Sequence, residues 1–330
     1  MYMPGSRRTL FVAAVVAVAG CSGTTSSPSL APGSQNLSAF PVVHHGMPFV
    51  PALRQSAHPS VTGHYRTERS LVFEGDQTQV AVNIYQTRDL PSNPAPVASI
   101  KVGAGCPYGT ATDYTGTLYV ADNCGGSDVE EYPEGRTAMK TKITTGISNP
   151  LGAAIDPSGT LYVSNYPAAI TIYPYGTTSP SQTITGGGLT DPFGLALDGS
   201  GNLYIADFGA SQVFELLKGS SGVIPLNLQN LTEPLGVAVD IKHGYLWVTD
   251  GSGNKINVYQ LGSTTPFQTI AGTGFPYAIS TQERGAHAGY VIYSDLNTHA
   301  VYAFKPGQYT PYAQLTTGIT QPTGLLLTQP

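Results

Sequence analysis

The pentapeptide LYVAD at residues 118–122 decides the fold, because it returns four times along the chain. The altered copies follow at intervals of 42 to 45 residues: LYVSN at 161–165, LYIAD at 203–207, LWVTD at 246–250 and VIYSD at 291–295. A period of this length is typical of proteins in which one supersecondary unit is copied many times. The chain is therefore expected to consist of copies of one small unit.

Each copy belongs to a unit of four short strands. An apolar string and an Asp/Gly turn precede the pentapeptide, as in LGAAIDPSG at 151–159, and this order predicts a β-hairpin. A third apolar segment follows, such as ITIY at 170–173, and then a fourth, such as SQTIT at 181–185. Four strands per unit predict the blade of a β-propeller.

Two incomplete units flank the five complete ones. LVFEG at 71–75, VNIY at 82–85 and PVASI at 96–100 supply strands two to four of a blade, and TGLLLT at 323–328 supplies a first strand. Joining these ends buries an apolar face that an open stack would expose. We expect six blades, with the C-terminal strand completing the N-terminal blade. About 260 residues at a period of about 43 disfavour seven or eight blades.

The pattern PxG-x-A-x-D-xx-G-x-LYVAD, followed by an apolar V/I-x-x-Y strand, resembles the NHL-type repeat of six-bladed β-propellers. The resemblance covers residues 71–330 and implies an all-β ring of four-stranded antiparallel blades. It is specific for fold and not for function, since such propellers serve in binding, in scaffolding and in catalysis. Gluconolactonase-like propellers, the distant relatives, hold a divalent metal at the channel mouth through Glu, Asn and Asp.

Composition excludes several classes of protein. The 330 residues include 39 Gly and 26 Pro, about a fifth of the chain against a usual share of roughly 12%, which disfavours helical architecture. Charged residues make up 11%, the net charge is −5, and no run of Lys and Arg occurs. Because duplex nucleic acid requires a basic surface, we expect no nucleic-acid partner.

The N-terminal 21 residues, MYMPGSRRTLFVAAVVAVAGC, are typical of an export signal. Arg7 and Arg8 precede an apolar run from Leu10 to Ala19 that is too short to span a bilayer. The ending VAGC resembles the bacterial lipobox, so we expect residues 1–20 to be a lipoprotein signal peptide and Cys21 to carry acyl chains. A plain secretory signal is the alternative, and both general and twin-arginine export are open.

Residues 21–70 are rich in Ser, Pro, Thr and Gly and show no periodicity. This composition predicts a lipidated flexible tether that holds the propeller at the bacterial cell envelope, on the periplasmic or cell-surface side. His44 and His45 lie in this segment and are interpreted as solvated residues and not as metal ligands.

Acidic residues recur at two positions of the repeat. Most copies of the second strand end in Asp, and we interpret these residues as acceptors for backbone N–H groups of the following turn, with a calcium ring as the alternative. These positions hold Asp122, Asn165, Asp207, Asp250, Asp295 and the pair Gly75-Asp76. A second set, interpreted as hairpin-turn formers, comprises Asp113, Asp156, Asp198 and Asp240.

Large aromatic residues also recur in the second strand, and we expect them to pack between blades. They are Tyr119, Tyr162, Tyr204 and Trp247.

A binding site is expected where the repeat is broken at one end of the ring. The loops entering strand one and leaving strand two open on this end, and their unrepeated aromatic and amide residues suit a peptide segment or a sugar. The candidate binding face consists of Tyr108, Asn123, Asn165, Tyr166, Phe193, Phe208 and Tyr277. The alternative is that these side chains only cap the core.

Cys106 and Cys124 lie in two loops at this same end of one blade. An exported protein favours oxidation, so we expect a disulfide between them, with two unbridged thiols as the alternative.

These features favour a membrane-anchored extracytoplasmic module that binds or scaffolds a protein or a glycan. The alternative is a calcium-dependent hydrolase of the lactonase type, for which Glu74 is the only glutamate in a suitable position; a structural envelope component is a third interpretation. The histidines do not form a three-His zinc set at one mouth. We assign no catalytic or metal-ligating residue and no cofactor from the sequence, with calcium as the one alternative.

Overall fold

The computed structural model describes residues 70–103, 105–283 and 288–328. They form six four-stranded antiparallel sheets, so the expected all-β propeller with six blades is confirmed. The expected signal peptide, Cys21 and the tether lie outside the described residues, apart from Ser70, and stay predictions. Within the described ranges, no helix is long and apolar enough to cross a membrane.

Among the described residues, blade 1 combines the last strand with the first three, and blades 2 to 6 each contain four consecutive strands. A short 3-10 helix, Thr87–Ser92, lies between the second and third strands of those described. The strands are β1 (Leu71–Asp76), β2 (Ala81–Gln86), β3 (Ala98–Lys101), β4 (Pro107–Thr112), β5 (Leu118–Asp122), β6 (Asp128–Tyr132), β7 (Thr141–Ile143), β8 (Pro150–Ile155), β9 (Leu161–Asn165), β10 (Ala169–Tyr173), β11 (Gln182–Thr185), β12 (Pro192–Leu197), β13 (Leu203–Asp207), β14 (Gln212–Leu216), β15 (Ile224–Pro225), β16 (Pro234–Asp240), β17 (Tyr245–Asp250), β18 (Lys255–Gln260), β19 (Gln268–Ala271), β20 (Pro276–Thr281), β21 (Val291–Asp295), β22 (Ala300–Phe304), β23 (Ala313–Leu315) and β24 (Pro322–Leu327).

The ring is closed by β24, which is the inner strand of blade 1 and pairs antiparallel with β1. The backbone of Leu71 bonds the Thr328 hydroxyl at 3.0 Å, and the Thr328 amide donates to the Leu71 carbonyl at 2.9 Å. At the other end of β1, the Gln77 amide donates to the Gln321 carbonyl at 3.0 Å. The predicted closure by the two chain ends is therefore confirmed.

The core is divided among the blade interfaces. The described residues form six apolar clusters, and each joins side chains of two neighbouring blades. Tyr119 of blade 2, for example, packs with Ala153 and Val163 of blade 3. Tyr162, Tyr204 and Trp247 occupy the corresponding places in other interfaces, as expected from the repeat.

The acidic residues that end the second strands have two structural partners. Asp207 accepts the amide of Ala210 in the following turn, and also the amides of Thr190 and Asp191 in the loop that enters the inner strand. These three bonds measure 2.8 to 2.9 Å. Asp250 and Asp295 likewise hold both loops of their blades. The structural interpretation is confirmed, and the bonds to the entering loop extend it.

The first-hairpin aspartates are turn formers, as interpreted. Asp156 accepts the amides of Ser158 and Thr160 at 2.8 and 2.9 Å, and Asp113 makes the same pair of bonds one blade earlier.

Removal of residues 323–330 tests the closure. The deletion takes away the inner strand of blade 1 with the buried Leu325 and Leu327, and burial of one such side chain contributes about 1.5–3 kcal/mol. We expect the free energy of unfolding in urea to fall by several kcal/mol. Deletion of residues 22–60 is the control and should leave it unchanged; equal losses for both truncations would contradict the closure.

Candidate functional site

The six inner strands approach one another closely around the ring axis. Each begins with proline, and in five of them glycine follows two residues later. A Cβ added to Gly109 would lie 2.6 Å from backbone atoms of Gly152 in the next blade, and one added to Gly236 would lie 2.6 Å from the Tyr277 carbonyl. Glycine is needed here because a side chain would separate the strands.

The residue that follows the proline reaches the axis. Tyr108, Phe193 and Tyr277 belong to blades 2, 4 and 6, which are not neighbours, yet their rings contact one another. The ring centroids are 6.0 Å apart for Tyr108 and Phe193, 6.2 Å for Tyr108 and Tyr277, and 5.2 Å for Phe193 and Tyr277. Side chains from alternate blades meet in this way only at the centre of the ring. We call these three residues the axial triad.

The axial triad has a buried member and two accessible ones. Tyr277 is 6% exposed, whereas Tyr108 and Phe193 are half-buried. Two of the three contacts are edge-to-face, with interplanar angles of 78° and 89°, an arrangement that aromatic rings favour. Tyr277 therefore supports the other two rings from within. Tyr108 and Phe193 expose part of their surface at one end of the ring axis, and we call the surface that they form with the neighbouring Asp191 the axial mouth.

Polar groups accompany the rings. Burial raises the pKa of the Tyr108 hydroxyl, and hydrogen bonds with Tyr277 and Gln77 oppose this rise. Burial also raises the pKa of Tyr277 well above its ordinary value, with further contributions from Tyr108 and Asp191. Both phenols are therefore neutral hydrogen-bonding groups at any physiological pH.

Asp191 is an acidic residue close to the axial triad. It lies directly before Pro192 in the loop that Asp207 holds. Burial raises the pKa of its carboxyl to about 6, and the neighbouring Asp207 adds to the rise. Its Oδ1 is buried and accepts no hydrogen bond from any residue that the structure describes. The half-buried Asp191 carboxyl thus lies close enough to the axial triad to act on Tyr277.

The other members of the candidate binding face have separate positions. The Asn123 side chain donates to the Pro150 carbonyl at 3.3 Å, and the Phe208 amide donates to the Asp191 carbonyl at 3.0 Å. Tyr166 is half-buried, and its amide bonds the Asn149 carbonyl. Asn165 is 2% exposed and holds the Ser148 amide and the Thr171 hydroxyl. The structure brings together Tyr108, Phe193 and Tyr277 and places Phe208 in contact with the Asp191 loop.

Glu74 does not lie at the axial mouth. It is 0% exposed, and its Oε2 accepts the side-chain amide of Asn83 on the outer neighbour strand β2 at 3.0 Å. Burial raises the pKa of its carboxyl well above the ordinary value. The glutamate considered for a lactonase-type metal is therefore buried and bonded to a side chain of the neighbouring strand.

Sequence reasoning missed Asp191 and Gln77. The position before the inner-strand proline differs in every blade, which is the signal that an alignment of the repeats offers. Its occupants are Cys106, Asn149, Asp191, Glu233, Phe275 and Gln321.

Comparison with known proteins identifies the fold and no family. No protein-family model matches the chain, and no curated protein matches it. The chain is similar to one in the solved structure titled "Crystal structure of Nidogen/Laminin Complex", with a TM-score of 0.66 and 16% sequence identity. The likeness covers 79% of this chain and 98% of that chain. At this identity it shows the six-bladed β-propeller fold alone.

The disulfide between Cys106 and Cys124 is present, as expected, and joins the loop entering β4 to the turn after β5. It anchors the backbone two residues before Tyr108.

We expect the double variant Cys106→Ser/Cys124→Ser to lose roughly 3 kcal/mol of unfolding free energy, because its unfolded chain is less constrained. Urea denaturation measures the loss. The control is Cys21→Ser, which should unfold at the wild-type midpoint; a double variant with that same midpoint would contradict the prediction.

Proposed function

We propose that the protein is an extracytoplasmic binding module, anchored through a lipidated Cys21, that binds a protein partner at the axial mouth. The observation that carries the proposal is the convergence of Tyr108, Phe193 and Tyr277 beside the Asp191 carboxyl. Aromatic residues at the centre of a surface are the groups that dominate protein–protein binding energies.

The axial mouth is organised before a partner arrives. Its aromatic residues lie on inner strands and are supported by Tyr277, and its loops are held by Asp122, Asp207 and the disulfide. Little conformational entropy is lost when such a surface binds, which favours affinity. The half-buried Asp191 carboxylate supplies a negatively charged hydrogen-bond acceptor for an N–H or ammonium group of the partner.

The structural likeness supports a protein in preference to a glycan. The similar solved structure is titled as a nidogen/laminin complex, which is a complex between proteins. A propeller of this shape therefore fits a protein-binding module.

The N-terminal sequence supports the anchoring. The lipobox-like VAGC at 18–21 supplies an acylation site, and a disulfide in the propeller agrees with an oxidising compartment outside the cytoplasm. Incorporation of a labelled fatty acid into the wild-type chain, and its absence from Cys21→Ser, tests this part separately.

Affinity capture from cell-envelope extracts tests the binding surface. We expect the wild-type protein to retain a protein partner and Phe193→Ala to reduce its retention at least tenfold, because the variant removes an accessible ring from the mouth. The matched control is Tyr114→Ala, since Tyr114 is 66% exposed in a hairpin turn at the opposite end of blade 2. Equal retention by both variants, or chelator-sensitive lactone hydrolysis without any partner, would argue against a binding module.

Partner binding should depend on pH through Asp191. Its carboxyl, with a pKa of about 6, is protonated below that pH and ionised above it. Hydrogen bonds to an ionised acceptor exceed neutral ones by about 1 kcal/mol, so we expect affinity to rise about fivefold between pH 5 and pH 7. Binding titrations of wild type and Asp191→Asn measure this. The variant should give a flat profile, and a flat wild-type profile would exclude the role of Asp191.

A further inference from the structure

Blade 2 departs from the other blades in its third strand. Asp128 faces Asp122 across the β5–β6 pair, and Glu130 follows two residues later on the same side of the sheet. No other described blade has an acid at either position. The residues paired like Asp128 are Ala81, Ala169, Gln212, Lys255 and Ala300. The residues in the place of Glu130 are Asn83, Thr171, Phe214, Asn257 and Tyr302.

The three carboxylates converge at one point between blades 1 and 2. Asp122, Asp128 and Glu130 are all buried, and each offers an oxygen within 4.8 Å of the oxygens of the other two. Two oxygens that bind the same calcium ion at 2.3–2.6 Å lie at most about 5 Å apart. The carboxylates are therefore spaced for a single ion.

The positive charge near these three carboxylates does not balance their negative charge. In blade 5 the position of Asp128 holds Lys255, whose ammonium lies 3.5 Å from Asp250. In blade 2 the cation comes from β7, where Lys142 contacts Asp128 at 2.9 Å and Glu130 at 3.0 Å. One ammonium beside three carboxylates leaves buried negative charge, which is unfavourable. The Lys142 side chain is 35% exposed, so its ammonium has a route into solvent.

An oxygen of this cluster also lacks a partner. Asp128 Oδ1 is buried and accepts no hydrogen bond from the residues that the structure describes. Glu130 is fixed by the Gly103 amide at 3.1 Å and by the Tyr132 hydroxyl, and Asp122 accepts the Cys106 amide at 2.8 Å. Backbone and phenol donors therefore hold the other two carboxylates in place, while Asp128 is held only through its Oδ2 by Lys142.

We propose that Asp122, Asp128 and Glu130 bind a calcium ion, which displaces the ammonium of Lys142. Carboxylate oxygens are the ligands that calcium prefers, and water completes its shell of six to eight oxygens. The bound ion joins β5 and β6 next to the Cys106–Cys124 disulfide and stabilises the end of blade 2 that carries Tyr108. This site is separate from the axial mouth and does not depend on partner binding.

Terbium luminescence tests the site in the full chain after chelator treatment. Terbium replaces calcium at oxygen sites, and Tyr132, whose hydroxyl bonds Glu130, lies where it can transfer excitation to the ion. We expect a saturable signal with one ion per chain that added calcium reverses. Calcium should also raise the melting temperature of the chelator-treated wild type.

Three variants distinguish a calcium site from a closed ion-pair cluster. Asp128→Asn should weaken terbium affinity at least tenfold, whereas Glu131→Gln, the next residue of β6 and directed to the other face, should retain it. Lys142→Met should bind terbium at least threefold more tightly, because the competing cation is gone.

The proposal fails if the wild type gives no saturable signal, if folded Asp128→Asn binds like wild type, or if Lys142→Met loses binding. Circular dichroism and disulfide content report folding. Should Asp128→Asn not fold, the Lys142→Met affinity and the calcium dependence of wild-type melting decide the question.

Discussion

The side chain that ends each second strand accepts hydrogen bonds from the loop entering the inner strand, and these bonds are the constraint on which the structure depends. Asp207 shows the arrangement, since it holds the amides of Thr190 and Asp191 as well as the turn that follows it. A charged acceptor buried among several N–H donors fixes a loop more firmly than neutral bonds do. These bonds fix the loop that leads into each inner strand, and the aromatic residues next to three of the prolines meet at the axis. Without these bonds the aromatic side chains of alternate blades would have no reason to meet.

The ring itself follows from the sequence because its determinants are local and repeated. The strand period, the hairpin aspartates such as Asp156 and the incomplete units at both ends predict the blade number, the closure and the pairing of Cys106 with Cys124. The contact among Tyr108, Phe193 and Tyr277 is harder to predict from the sequence, because these residues lie about 85 residues apart along the chain and meet only when six blades close into a ring. The acidic cluster of blade 2 depends on the register of β5 against β6, and its lysine comes from a third strand, so no single motif contains it.

Positions that are the same in most blades and positions that differ in one blade have different roles. Positions shared by the blades, such as Tyr119 between blades 2 and 3, build the interfaces and keep the ring rigid. Positions at which one blade differs, such as Asp191 and Asp128, carry buried carboxylate oxygens that the described residues leave unpartnered. Buried polar atoms are usually satisfied, so an unpartnered carboxylate oxygen at an unrepeated position is unusual. The disulfide and the cluster reinforce the same end of blade 2, close to the axial triad.

The two ends of β1 lie at opposite ends of the ring. Leu71 starts β1 beside Thr328, whereas Asp76 ends β1 beside the loop leading into the inner strand. The strand thus runs from the underside of the ring to the face that bears the axial triad. A group attached at Leu71 would therefore lie at the end of the ring opposite to the exposed edges of Tyr108 and Phe193.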